Sequence, residues 1–387
     1  MKQQFADFLL DEETREVRDL AREYADKKIA PIATEMDQKH EFPRTQFEEL
    51  GEMGLLGTAT PEEFGGIGMG VLSNVVVLEE LARHSGSLSV AVESHIDLGM
   101  KPIIKYGTAE QKELILPGAV AGTDILSFAL TEPQSGSDAG GTKTYAVLDG
   151  DEWVINGSKS WITNAGESKY YLVACKTDLE AKGSKGISLI LVPNDAPGFE
   201  AGVPEKKMSL RASATGQLFF SDCRVPKENL VGELNRGLPI FLEGLDEGRI
   251  AVSAFCIGAA QGALERAVKY AKEREAFGKK ITKFQAVSFM LAEMEQKVEI
   301  ARCMCYNVAQ MADAGLNYTR EAAILKLYAS EMADEVCRDA IQVMGANGIS
   351  EEYEVERFYR DVKMMTIGEG TSEINKLVIS RFVLDEY

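Results

Sequence analysis

Near the end of the chain a single carboxylate, Glu369, stands between Gly368 and Gly370 and is followed by Thr371, Ser372 and Glu373. Glycines on both sides allow a sharp turn and a close approach of backbone to ligand. A carboxylate held there can act as a general base, and the hydroxyls behind it can grip a cofactor. The same spacing fits a capped helix start. In that reading Thr371 or Ser372 is the N-cap, Glu373 lies in the first turn, and Ile374, Leu377 and Val378 are the first apolar positions. The stretch alone supports both.

Five other stretches carry comparable chemistry. Phe128-Ala-Leu-Thr-Glu-Pro-Gln-Ser-Gly-Ser137 offers hydroxyls at Thr131, Ser135 and Ser137 and backbone freedom at Gly136. Such a loop can turn N–H groups toward a phosphate, or can be an ordinary β-turn. Ser160-Trp161-Ile162-Thr163-Asn164 reads as a strand ending in polar residues, with Trp161 as a large flat face for a ligand ring or for the core. Arg274, beside Phe277 and Gly278 and ahead of Gln285, suits phosphate recognition in a turn, or is a solvated loop arginine. Gln342-Val-Met-Gly345-Ala346-Asn-Gly348 closes a helix; a C-cap explains the glycines but not Gln342. Asp246 and Arg249, three apart at the start of a long helix, share one face as an ion pair or as a grip on a polar ligand.

The elements that must position these stretches change character twice. Helical periodicity covers 11–30, 44–53 and 71–83, with a further helical stretch to about Pro117. The glycines of 61–70 do not fit a dinucleotide-binding fingerprint. From 125 to 220 the chain is short-stranded and punctuated, with a hairpin signal at Asp149-Gly150 and a break at Asn156-Gly157. Helices return at 248–273, 284–315, 319–344 and 372–384, a bundle. The expected class is α+β: an all-α domain over 1–121, an antiparallel β domain over 122–232 and a helical bundle over 233–387.

With 61 acidic and 42 basic residues the net charge is −19, which argues against nucleic acid and anionic membranes as partners. Six dispersed cysteines and three dispersed histidines show no metal-binding spacing, so no metal is expected, and the thiols read as reduced core residues. The longest apolar run, 250–260, is too short to span a bilayer, and the start at Met1 reads as neither signal nor transit peptide. The expectation is a cytoplasmic protein.

Taken together and in this order, Thr131-Glu-Pro…Gly-Ser-Asp138, Trp161-Ile-Thr-Asn164, Arg274…Phe277-Gly278, Gln342…Gly345 and Glu369-Gly-Thr-Ser-Glu373 resemble the acyl-CoA dehydrogenase family, over essentially the whole chain. Pro61-Glu-Glu-Phe-Gly-Gly66 is also similar to its N-terminal pattern. The resemblance implies a four-helix bundle after the β domain, and FAD bound between the two. Phe128, Leu130, Thr131, Gly136, Ser137, Trp161, Ile162 and Thr163 would hold the flavin, its ribityl chain and the pyrophosphate. Arg274, Phe277, Gln285, Gln342, Gly345 and Ala346 would reach the FAD of a neighbouring subunit, most often within a homotetramer. Thr371 and Glu373 would complete the cofactor site, and Ser137, Asp246, Arg249 and Gly370 would line the acyl-CoA site.

By the same resemblance Glu369 would be the base that takes the α-proton while a hydride leaves the β-carbon for FAD, giving the 2,3-enoyl-CoA. Electrons would pass to an electron-transferring flavoprotein. Some relatives carry the base immediately before the helix arginine; here that position is Gly248, and Glu247 should point elsewhere. Asp97 stands where many relatives have serine. It reads as a loop carboxylate satisfied by N–H groups, or as a second acid–base or substrate-selecting group. The alternatives to a plain dehydrogenase are an oxidase, a relative specialised for branched, acidic or cyclic (cyclohexane- or cyclohexene-carboxyl) acyl-CoA, and a non-catalytic FAD- or CoA-binding subunit. Acyl length and shape are not set by these motifs.

Overall fold

The computed structural model describes residues 5–386 except 182 and 184, so the first residues of the start read above lie outside the described residues. The chain opens with helices α1 (Glu12–Tyr24), α2 (Ala33–Lys39) and α3 (Arg44–Glu52). Asp11 caps α1 by accepting from Thr14 N at 2.8 Å, and Val17, Ala21 and Tyr24 turn inward. The helix expected over 11–30 loses α geometry at Tyr24 and continues as π-helical turns over Ala25–Ile29.

Helix α4 (Val71–Ala82) is buried from Leu72 onward, as its unbroken apolar run requires. Beyond it, α5 (Gly86–Glu93), a π-helical segment (Ser94–Met100) and α6 (Lys101–Tyr106) form one continuous run. Such widened turns recur at functional sites. His95 in this segment ties it to its surroundings: Nε2–H donates to Ala119 O at 3.0 Å and Nδ1 accepts from Leu126 N at 3.1 Å. Helix α7 (Ala109–Val120) starts with a capping box of Thr108 and Gln111 and runs past Pro117, where the sequence suggested an end. Burial of Ile115, Leu116, Ala119 and Val120 holds that last turn despite the missing N–H.

The sheet has eight strands: β1 (Leu126–Ala129), β2 (Tyr145–Asp149), β3 (Glu152–Thr163), β4 (Tyr170–Lys176), β5 (Ile187–Pro193), β6 (Phe199–Ala201), β7 (Thr215–Pro226) and β8 (Leu230–Val231). Their order is β6-β7-β3-β2-β4-β5-β8, with β1 beside β4. The sheet is antiparallel as expected, except that β1 runs parallel to β4 and β2 meets β4 in parallel at Tyr145 and Lys176. Asn156-Gly157 is not a break but a bulge inside β3, with Gly157 at φ 141°. Along β4, Tyr170, Leu172 and Ala174 join the helical core, while Tyr171, Val173 and Cys175 join a second core on the far face.

The last part is a bundle of α8 (Gly237–Glu273), α9 (Gln285–Asp313), α10 (Thr319–Met344), α11 (Val355–Lys363) and α12 (Ser372–Glu386). Helix α8 begins at Gly237 rather than Gly248; the packing of buried Leu238, Ile240 and Phe241 carries it through weak helix formers at Gly244 and Gly248. Between α8 and α9 lies a hairpin of β9 (Glu275–Ala276) and β10 (Lys279–Lys280). The cysteines are unpaired, five buried and Cys303 half-buried. Among the described residues no helix is long and apolar enough to cross a membrane.

Candidate active site

Glu369 holds a left-handed backbone, φ 51°, next to Gly370 at φ 90°. For a residue with a side chain that strain is on the order of 1–3 kcal/mol. Two donors clamp the turn: Lys326 Nζ on α10 reaches Gly370 O at 2.7 Å, and Asn375 Nδ2 on α12 reaches the same oxygen at 2.9 Å. Thr371 Oγ1 accepts from Ile374 N at 3.2 Å and so caps α12. The capped helix start and the presented carboxylate are one structure.

The residue is half-buried, but its carboxyl is not open to solvent. Oε2 is buried and no N–H or hydroxyl group donates to it. It lies over Gly248 on α8, where an added Cβ would stand 2.2 Å away. Burial lifts the Glu369 carboxyl to about 7, with the Asp97 charge pushing the same way; a hydrogen bond with Glu93 and the charges of Lys326 and Arg249 act against the rise. Glu247 points away and pairs with Lys101, as expected.

Glu93, the last residue of α5, was not singled out from the sequence. It is 3% exposed, and its carboxyl faces that of Glu369 within hydrogen-bonding reach. Burial, then the Glu369 charge, push it well above the usual carboxylate range. The signal was present: a lone ionisable residue in the apolar run Gly86–Glu93. Asp97 follows one turn later on the π-helical segment, not on a loop. It is fully paired, accepting from Asn74 Nδ2 at 2.7 Å and meeting Lys101 Nζ at 2.8 Å. That satisfies it structurally, as its first reading held.

One β-domain stretch is tied to the helix that carries Glu93. Asn164 Nδ2 donates to Ala91 O at 3.0 Å and so docks the end of β3 onto α5. Just before it, Trp161 is 62% exposed at φ 61°, so it is a presented face and not a core residue. Thr163 is half-buried beside it. Phe128 packs on Phe241 of α8 with ring centroids 4.4 Å apart. Leu130 and Ile162 are buried and offer backbone groups rather than side-chain surface.

The loop holding Thr131, Gly136 and Ser137 is built on buried Glu132. That side chain accepts from Lys143 N at 2.8 Å, Thr144 N at 3.0 Å and Lys159 Nζ at 2.7 Å. Gly136 and Ser137 are exposed and Thr131 half-buried. Neither Glu132 nor Lys159 had been given a role. Asp246 and Arg249 lie within α8, not at its start. They form an ion pair, Thr319 Oγ1 donates to Asp246 Oδ2 at 2.8 Å, and Arg249 Nε is buried without an acceptor.

Arg274, Phe277, Gln285, Gln342, Gly345 and Ala346 lie at the other end of the bundle. Arg274, Phe277 and Gln285 lie past the C-terminal end of α8, about 37 Å along its axis from Arg249 at 1.5 Å per residue. All three are exposed, Phe277 at 95% with φ 51°. The turn after Gln342, with exposed Gly345 and Ala346, is tied to that same end by Asn347 Nδ2 donating to Tyr270 Oη at 3.0 Å. Glu373 is exposed in the first turn of α12.

These parts suit a flavin: a strained, presented indole face, a threonine beside it, a rigidly based loop, and a desolvated carboxylate on the helical side. Comparison with known proteins agrees. The acyl-CoA dehydrogenase N-terminal, middle and C-terminal domain families match residues 11–123, 127–223 and 235–384. A probable acyl-CoA dehydrogenase of Bacillus subtilis is 45% identical over 97% of this chain and 99% of its own. Butyryl-CoA dehydrogenase from Megasphaera elsdenii is 39% identical and superposes with a TM-score of 0.95 over 97% of this chain and 99% of that one. A chain in a structure of the electron-transferring flavoprotein of Acidaminococcus fermentans is 42% identical, with a TM-score of 0.95 over 97% and 98%.

Proposed function

The chain belongs to the acyl-CoA dehydrogenase family, FAD-dependent enzymes that oxidise acyl-CoA thioesters to 2,3-enoyl-CoA, and on that premise we propose that Glu369 is its base and a short acyl group its substrate. One observation carries the assignment: Glu369 Oε2 is buried, receives no N–H or hydroxyl donor and is held over Gly248 by a strained, clamped turn. A carboxylate kept from water is a stronger base than a solvated one.

Glu369 takes the α-proton: a C–H bond breaks, an O–H bond forms on the carboxylate, and the electron pair stays with the substrate. The Glu369 N–H donates to the thioester oxygen as negative charge develops there. FAD, when bound, supplies the acceptor for the β-hydrogen and its electron pair. Trp161, Thr163, Phe128, Leu130 and Ile162 would seat the ring; Thr131, Gly136, Ser137, Thr371 and Glu373 would hold the rest of the cofactor; Ser137, Asp246, Arg249 and Gly370 would line the thioester side.

Arg274, Phe277, Gln285, Gln342, Gly345 and Ala346 are too far along the bundle to serve the same FAD, and they act on that of a second copy. The assembly is a homotetramer, with domains at 1–121, 122–232 and 233–387, in a reducing cytoplasm that suits the unpaired cysteines. Short acyl groups are supported by the likeness to butyryl-CoA dehydrogenase, and an electron-transferring flavoprotein as acceptor by the Acidaminococcus match. In the test, FAD-loaded enzyme is mixed anaerobically with acyl-CoAs of increasing length and then with an electron-transferring flavoprotein. Butyryl-CoA should bleach the flavin fastest and the flavoprotein should restore its colour; bleaching only by long chains would overturn the substrate reading.

A further inference from the structure

We propose that Glu93 is a positioning residue for the base: its carboxyl keeps a proton in the resting enzyme and donates it in a hydrogen bond to the Glu369 carboxylate, holding that group aligned and ionised over Gly248. The inference rests on the reading of Glu369 as base.

Helix α5 is buried from end to end, and Glu93 is its one ionisable residue. Docking of Asn164 on Ala91 O fixes the backbone of that end of α5 against the end of β3. Glu93 Oε1 and Glu369 Oε2 are both buried and lack a donor from any other residue. Two touching carboxylates cannot both be charged in such a site, whereas one shared proton satisfies both.

The surroundings decide where that proton sits. Lys326 from α10 and Arg249 from α8 act on Glu369 and favour its anion. Facing Glu93 are Glu369 and Asp97, both of which favour its neutral acid. Lys101 acts against them, but it is already bound to Asp97 and Glu247. Lys326 is itself lowered to about 8 by burial, which leaves it cationic at neutral pH.

In turnover a substrate C–H bond breaks and an O–H bond forms on Glu369, while the Glu93 O–H stays intact. The pair then holds two protons and no charge, and one proton passes to solvent as product leaves. Glu93 touches no reacting atom in this scheme.

The test compares FAD-loaded wild type, Glu93→Gln and Glu93→Leu with butyryl-CoA, recording kcat and KM from about pH 5 to 10, with flavin content as the check on folding. Glu93→Gln still donates through its amide. It should keep the acid limb of the profile in place, lose the alkaline limb that Glu93 ionisation produces, and hold kcat within about fivefold. Glu93→Leu should move the acid limb up by about one pH unit and lower kcat about tenfold with KM nearly constant. Profiles that coincide for all three proteins, or a Glu93→Gln enzyme as slow as Glu93→Leu, overturn the proposal. Glu369→Gln separates the two levels. If it is inactive while Glu93→Leu is unaltered, only the role of Glu93 falls; if it turns over, the base assignment falls too.

Discussion

Gly248 carries no side chain at the point where the Glu369 carboxylate lies; a Cβ there would stand 2.2 Å from Oε2. Helix α8 thus forms the floor of the base site. Gly248→Ala should leave the helix intact and displace the carboxylate. A shift of about 1 Å costs roughly a hundredfold in rate. The expected outcome is a kcat lower by about that factor with normal flavin content. A kcat within threefold of wild type would mean that the carboxylate has room to work elsewhere.

The pH profile should carry the mark of burial. The base works only when ionised, and burial raises Glu369 to about 7, so kcat/KM should climb through about pH 7 rather than through the ordinary carboxylate range. Lys326 lowers that value by its charge. Lys326→Met should therefore move the acid limb upward. It should also slow turnover about tenfold by leaving the clamp on Gly370 O to Asn375 alone. A limb that stays put or moves down would contradict this placement of charge.

Trp161 is presented at a backbone angle that only a fixed purpose sustains. Trp161→Ala should weaken FAD binding about tenfold, the worth of one good aromatic contact, while Trp161→Phe retains most of it. Flavin titration of the apoprotein measures both. Equal affinity in the alanine variant would return Trp161 to a merely structural role.

Carboxylates outnumber cations on the α5 side of the base. Asp97 and Glu247 share the single charge of Lys101, while Lys326 and Arg249 act on Glu369 itself. An acyl group ending in a carboxylate would meet like charge at close range, a cost of several kcal/mol. Glutaryl-CoA should thus be at least about thirtyfold poorer than butyryl-CoA in kcat/KM, read side by side with one acceptor. Comparable values would show that the acyl group lies away from these carboxyls.

Glu369 and Trp161 could be singled out as candidates from sequence because each sits beside residues that mark a turn or a strand end. Two glycines flank Glu369, and a strand end with polar neighbours carries Trp161. The α–β–α order was legible because period 3.6 and short punctuated strands differ over long windows. Glu93 was not, since an apolar helix with one carboxylate has no motif and its meaning lies in a contact with a residue far along the chain. Lys326 and Lys159 were hidden for the same reason: they act through long-range donor bonds, Lys326 to Gly370 O and Lys159 to Leu130 O and Glu132. The early start of α8, the run of α7 through Pro117 and the parallel seat of β1 all come from packing that local propensity does not encode. Asp246 and Arg249 were correctly paired but placed at a helix start that lies a few turns earlier.

The claim that Glu369 is the base is tested most directly by mixing FAD-loaded Glu369→Gln anaerobically with butyryl-CoA and following flavin absorbance. The glutamine fills the same space and cannot take the proton. Bleaching should slow at least about a thousandfold with flavin content unchanged; bleaching within tenfold of wild type would contradict the account.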